Sequence, residues 1–210
     1  MLGIISAGVA PALALMSFFY LKDKITEPIS LIIRTFIYGC LIVFPIMFIQ
    51  YAFEGIQVNS IFVESFFIVA FLEEFFKWFI FLYVIYQHTE FDAHYDGIVY
   101  AVSISLGFAT VENILYLFVN GIEYAFTRAL FPVSSHALFG VIMGYHFGKA
   151  KMKESNVIWH IVLALFIPIA LHGTYNSILM VVDENWAFYA IPFMIVLWFF
   201  SMHHAKKASI

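Results

Sequence analysis

"FIVAFLEEFFKWFIFLYVIY", residues 67–86, is apolar enough to cross a bilayer, yet it carries Glu73, Glu74 and Lys77 at its middle. Ionisable groups at that depth are costly, and they persist where they pair with one another or perform a function. The remainder of the chain supports the membrane reading. Of its 210 residues, 63% are hydrophobic, 20% aromatic and only 11% charged; the mean hydropathy is +0.94. A soluble domain carries about 25% charged residues. The composition is that of an all-α integral membrane protein, with lipid as an obligatory partner. A net charge of −4 and the lack of any basic block argue against nucleic acid as a partner. The single cysteine, Cys40, leaves no internal disulfide.

Working outward, a span needs about 20 apolar residues, and seven stretches qualify, near 2–21, 31–52, 61–86, 97–119, 132–148, 157–181 and 187–203. The first is read as a retained helix, since no basic leader precedes it. Basic residues mark the first connection (Lys22, Lys24, with Arg34 nearby), the fifth (Lys149, Lys151, Lys153) and the tail (His203, His204, Lys206, Lys207). Acidic residues without Lys or Arg mark 53–60 (Glu54) and 182–186 (Asp183, Glu184). The positive-inside rule then predicts an outside N-terminus and a cytoplasmic C-terminus, with Arg128 the one dissenting charge. Residues 1–210 read as one polytopic domain in the plasma membrane. Its polar chemistry is confined to about 61–181, because the first two and last spans hold little beyond Pro45, Pro192 and an interfacial Gln50.

On an α-helix successive residues lie about 100° apart. Lys77 therefore falls between Glu73 and Glu74 in azimuth and can reach either. Two readings stand: an ion pair that locks helices together, or a pair poised so that one carboxylate stays ionised as a base. The fourth span contains "GFATVENILY", with Glu112 and Asn113 in its outer half, and begins at Asp96, where an N-cap is expected. The fifth, "PVSSHALFGVIMGYHFGKAK", opens on Pro132 and repeats Gly140, Gly144 and Gly148, a ridge for close helix approach. His136 extends that ridge and so faces the bundle, whereas His146 is expected at the interface. In the sixth, "IPIALHGTYNSILM", His172 and Asn176 share one face one turn beyond Pro168. Each histidine alone is equally well a hydrogen-bonded core residue. Helix rise sets Glu73, Glu112, His136 and His172 about 18, 12, 6 and 16 Å below their outer helix ends. With ordinary tilt these depths fit one pocket.

Four motifs carry a family resemblance: "EEFFK" at 73–77, "FATVE" at 108–112, "SSH" at 134–136 and "HGTYN" at 172–176. Together with "DGIVY" at 96–100, they resemble the PrsW intramembrane proteases, which are similar to the wider superfamily of CAAX prenyl endopeptidases. Against the CAAX form, with motifs EExxxR, FxxxH and HxxxN, Lys77 stands one position earlier than the arginine and Glu112 replaces a histidine. The resemblance implies an endopeptidase that makes the first cut in a single-pass membrane protein, typically an anti-sigma factor, on its extracytoplasmic side. Catalysis is then expected from an activated water. Glu73 or Glu74 would be the base with Lys77 setting its charge, His172 and Asn176 would hold the oxyanion, and Glu112 and His136 would position water or protonate the leaving amine. Cys40 is remote in sequence from every motif, and Ser134 and Ser135 lack an evident base partner. A metal-free version is preferred because no HExxH-type motif is present, with zinc on His136, His172 and Glu112 as the alternative. A proton- or ion-coupled transporter and a non-catalytic scaffold are the competing classes.

Overall fold

The computed structural model describes residues 1–54, 60–152, 156–182 and 184–209. Lys153 and Asp183, used above to orient the loops, lie outside them, as does the side chain of Glu54. Seven helices follow in order: α1 Leu2–Tyr20, α2 Ile29–Glu54, α3 at 63–85, α4 Asp96–Asn120, α5 Ile122–Lys151, α6 Val157–Val181 and α7 Trp186–Ala208. No strand occurs among the described residues. Six of the seven are long and apolar enough to cross a membrane. The seventh, α3, bears Glu73, Glu74 and Lys77 in an α-helical middle, Leu72–Ile80, flanked by π-helical turns at Val63–Phe71 and Phe81–Ile85.

The layering follows from where small residues sit. In α4 and α5, 61% of the most apolar stretch is buried, against 22% in α1 and α7, so the first pair is central and the second peripheral. A Cβ placed on Gly144 of α5 would strike the backbone of Gly97 in α4, and one on Gly107 of α4 would strike the Phe36 carbonyl in α2. Glycine at these crossings lets α4 meet both neighbours backbone to backbone. The Gly140–Gly144–Gly148 ridge thus faces α4 and the residues just before it, as expected. Lipid-facing positions carry Phe48, Phe67, Tyr83, Phe188 and Phe199, all exposed.

Several local expectations need correction. α5 starts at Ile122, ten residues before Pro132, which lies inside a π-helical turn at Ala129–Val133. The missing proline N–H is accommodated by that wider turn. The hydroxyls of Ser134 and Ser135 donate to the carbonyls of Ala129 and Pro132, both at 2.8 Å. Arg128 consequently belongs to a helix instead of a loop, and its charge is met by Glu112 at 3.3 Å. Asp96 is the first residue of α4, not its cap; Tyr95 takes the cap position. His146 is buried within the bundle, its Nδ1 3.0 Å from Nδ1 of His160.

Candidate active site

Four helices bring their polar residues to one place. α3 contributes Glu73, Glu74 and Lys77, which are 6, 0 and 0% exposed; α5 contributes His136 and α6 His172, both 3% exposed. The helical spacing explains the first contacts. Lys77 Nζ donates to Glu74 Oε1 at 2.8 Å and stands 3.8 Å from Glu73 Oε2, at the i+3 and i+4 positions respectively. The same ammonium donates to His136 Nδ1 at 3.0 Å and lies 4.2 Å from the centre of the Phe108 ring on α4. Breaking such a buried pair costs far more than an exposed one, because the surviving charge has no water to turn to.

Each glutamate has one buried oxygen without a hydrogen-bond partner, Oε2, and they differ in what holds the other oxygen and in what the free one faces. Glu74 Oε1 accepts from both Lys77 and His172 Nδ1, the latter at 3.0 Å. Glu73 Oε1 accepts from Gln50 Nε2 at 3.3 Å, whereas its Oε2 is buried with no hydrogen-bond partner. That free oxygen lies 3.9 Å from His136 Nε2 and 4.0 Å from His172 Nε2. The imidazoles meet edge to face at 5.1 Å, and Phe139 stacks on His172, so the pocket wall is aromatic.

Hydrogen bonding fixes the tautomers. An ammonium can only donate, so His136 Nδ1 accepts from Lys77 and its hydrogen sits on Nε2, which donates to Glu112 Oε2 at 3.0 Å. Glu74, holding an ammonium, is a carboxylate; His172 Nδ1 therefore donates to it, and His172 Nε2 presents a lone pair. In that neutral tautomer His172 Nε2 has no hydrogen to offer an oxyanion. Asn176 still has a free donor, since its Nδ2 is buried and unpartnered one turn further along α6.

The candidate metal set also changes. Among the described residues at this end, the three whose donor atoms lie within 4.8 Å of one another are Glu73, His136 and His172. Glu112 drops out because its side chain, 36% exposed, is drawn to Arg128 on one side and to the His136 Nε2–H on the other. A zinc-type ion suits two imidazoles and a carboxylate with bonds of about 2.1 Å, and the unpartnered Glu73 oxygen and the free His172 lone pair fit that role. The Glu74–His172 bond is the outer contact that commonly fixes a ligating imidazole.

Sequence reasoning missed two contributors. Gln50, expected at the interface, orients Glu73. Arg128, taken as a dissenting charge, holds Glu112 at 3.3 Å and donates from Nε to Asn113 Oδ1 at 3.2 Å. Only their polarity within apolar surroundings could have drawn attention to either.

Comparison with known proteins places this geometry. A model of the PrsW family intramembrane metalloproteases matches residues 27–202. The chain is 61% identical to the protease PrsW of Oceanobacillus iheyensis, over all of this chain and 97% of that one. It is 54% identical to the protease PrsW of Bacillus subtilis over 99% and 96% of the two chains, and 29% identical to that of Clostridioides difficile over 92% and 90%. No solved structure matches. The family is one of membrane proteases, which decides between the protease, transporter and scaffold readings. The chain belongs to the PrsW family of intramembrane proteases and is a multi-pass integral membrane protein.

Proposed function

We propose that this protease cuts a single-pass membrane protein, an anti-sigma factor, near the extracytoplasmic end of its span, using a water activated by Glu73. The observation that carries the reading is the unpartnered Glu73 Oε2 facing two imidazole Nε2 atoms at 3.9 and 4.0 Å. Glu73 Oε2 and His172 Nε2 are both acceptors, so they suit the two hydrogens of one water. As Glu73 takes one proton, the water oxygen bonds to the scissile carbonyl carbon. Asn176 Nδ2 supplies a donor for the oxyanion. The proton taken by Glu73 passes to the amine nitrogen as the C–N bond breaks, while His136, its ring fixed by Glu112 and Lys77, frames the water. Lys77 and Glu74 stay bonded and hold both imidazoles in register.

Glu73, His136 and His172 would also hold a zinc-type ion, which when bound polarises the carbonyl and acidifies the water. For His136 to ligate through Nε2 as a neutral imidazole its hydrogen would sit on Nδ1, bonded to an uncharged Lys77 amine, so loading would release one proton.

The basic residues Lys22, Lys24, Lys149, Lys151, Lys206 and Lys207 support a cytoplasmic C-terminus and an outside N-terminus. In that orientation Glu112, sixteen residues along α4 from Asp96, lies in the outer half. Central peptide bonds of a substrate helix are bonded within it, and freeing them in hydrocarbon costs several kcal/mol each. A segment just outside the span avoids that cost. Purified protein with a tagged substrate in liposomes should release a fragment whose end, read by mass spectrometry, lies within a few residues of the outer boundary. A cut on the cytoplasmic side sinks the proposal.

A further inference from the structure

A second group of carboxylates lies at the far end of α4. One oxygen from each of Asp23, Glu27 and Asp96 lies within 4.8 Å of the other two. Asp96 is wholly buried and Glu27 is 5% exposed. Sixteen residues separate Asp96 from Glu112 along the same helix, about 24 Å of rise, so this group is distinct from the protease centre.

Each carboxylate is held by one oxygen from outside the group. Asp96 Oδ2 accepts from the N–H groups of Asp92 (3.0 Å) and Ala93 (2.5 Å). Asp23 Oδ1 accepts from the N–H of Ile25 at 3.2 Å. Glu27 Oε2 accepts from the buried hydroxyl of Tyr100. The second oxygens of Asp96 and Asp23, Oδ1 and Oδ2 respectively, are buried and accept no hydrogen bond from outside the group among the described residues. No Lys or Arg forms an ion pair with the three among the described residues. Three close carboxyl groups, two of them buried and one half-buried, are untenable as charges without a cation, so protons or a bound ion must compensate them.

We propose that Asp23, Glu27 and Asp96 form a binding site for a hard, calcium-sized divalent cation. The donors are all oxygen, which excludes a preference for soft metals. A spread of at most 4.8 Å is bridged even end to end by Ca–O bonds of about 2.4 Å. One-oxygen anchoring of each carboxylate is how outer contacts orient ligands. A cavity of about 240 Å³, lined by Asp23, Lys24, Ala93, His94, Tyr95 and Ser209, opens beside Asp23 at the edge of the group. Bound there, the ion ties the α1–α2 connection to the start of α4.

Terbium, a calcium-sized ion whose emission is sensitised by nearby tyrosine, is the probe. Tyr100 is bonded to Glu27, and Tyr95 lines the cavity. Purified full-length protein is expected to give saturable terbium emission that calcium displaces, and calcium is expected to raise Tm. Asp23→Asn, in the connection, and Asp96→Asn, at the helix start, should each weaken terbium binding by more than about tenfold. Glu73→Gln, at the other end of the molecule, should leave it unchanged. If Asp96→Asn does not fold, Asp23→Asn alone decides. Emission that survives Asp23→Asn, or Tm and emission both blind to calcium, would mean that protons alone compensate the group, and overturns the proposal.

Discussion

Glu73 and Glu74 are adjacent in sequence, yet their removal should have opposite consequences. In Glu74→Gln the amide oxygen can keep the bonds from Lys77 and His172, but the negative charge 2.8 Å from the Lys77 ammonium is gone. The counter-charge left beside Lys77 on α3 is Glu73 at 3.8 Å. Removing one member of a buried pair costs about 3–5 kcal/mol, and the retained bonds argue for the lower figure. For a chain of this size that is a fall in Tm on the order of 10 °C. In Glu73→Gln the altered Oε2 had no hydrogen bond to lose, so Tm should move by less than a third of that amount. Cleavage, in contrast, should fall roughly 10²–10⁴-fold with loss of the base. Thermal unfolding in detergent and substrate cleavage on the same preparations separate the two. Equal destabilisation in both variants, or wild-type cleavage by Glu73→Gln, would refute the division of labour drawn from the free oxygen.

Asn176→Ala should lower turnover about 10²-fold with little change in KM if its free amide holds the oxyanion; a change confined to KM would make it a docking residue instead. Metal dependence is checked by elemental analysis and chelation: zinc that His136→Ala and His172→Ala lose, with cleavage that a chelator abolishes and added zinc restores, would make Glu73 a ligand in place of the base. Undiminished cleavage after chelation would leave the water to Glu73 and His172 alone. Gly144→Ile should prevent accumulation, because its side chain would enter the Gly97 backbone, whereas Gly3→Ala meets only the tip of Ile122 at 3.4 Å and should be silent on a membrane-fraction blot.

Hydropathy made the helices legible because a bilayer imposes a length that a sequence must spell out. Val157–Val181 coincides with its expected range, while α5 extends ten residues before the proline that looked like its start. A π-helical turn can absorb a proline, and apolar content says nothing of such turns. Azimuth gave the Lys77 contacts with both glutamates, since these lie within one helix. Contacts between helices were a different matter. Depth brought Glu112 to the same level as the histidines, but which carboxylate faces both imidazoles depends on how α3 and α4 are rotated. Arg128 settled that by drawing Glu112 aside, and Gln50 by turning Glu73 inward; neither pairing leaves a trace in spacing.

The burial of the reactive groups has a kinetic corollary. With Glu73 6% exposed and both histidines 3% exposed, no peptide bond can touch them while the seven helices stand as described. On the proposed reading a helix must yield before a substrate can reach them. The under-wound π segments on either side of Leu72–Ile80 give α3 two places to rewind without breaking its charged middle. Turnover then becomes a property of the surrounding lipid as much as of the side chains, slower in a stiff bilayer than in a fluid one.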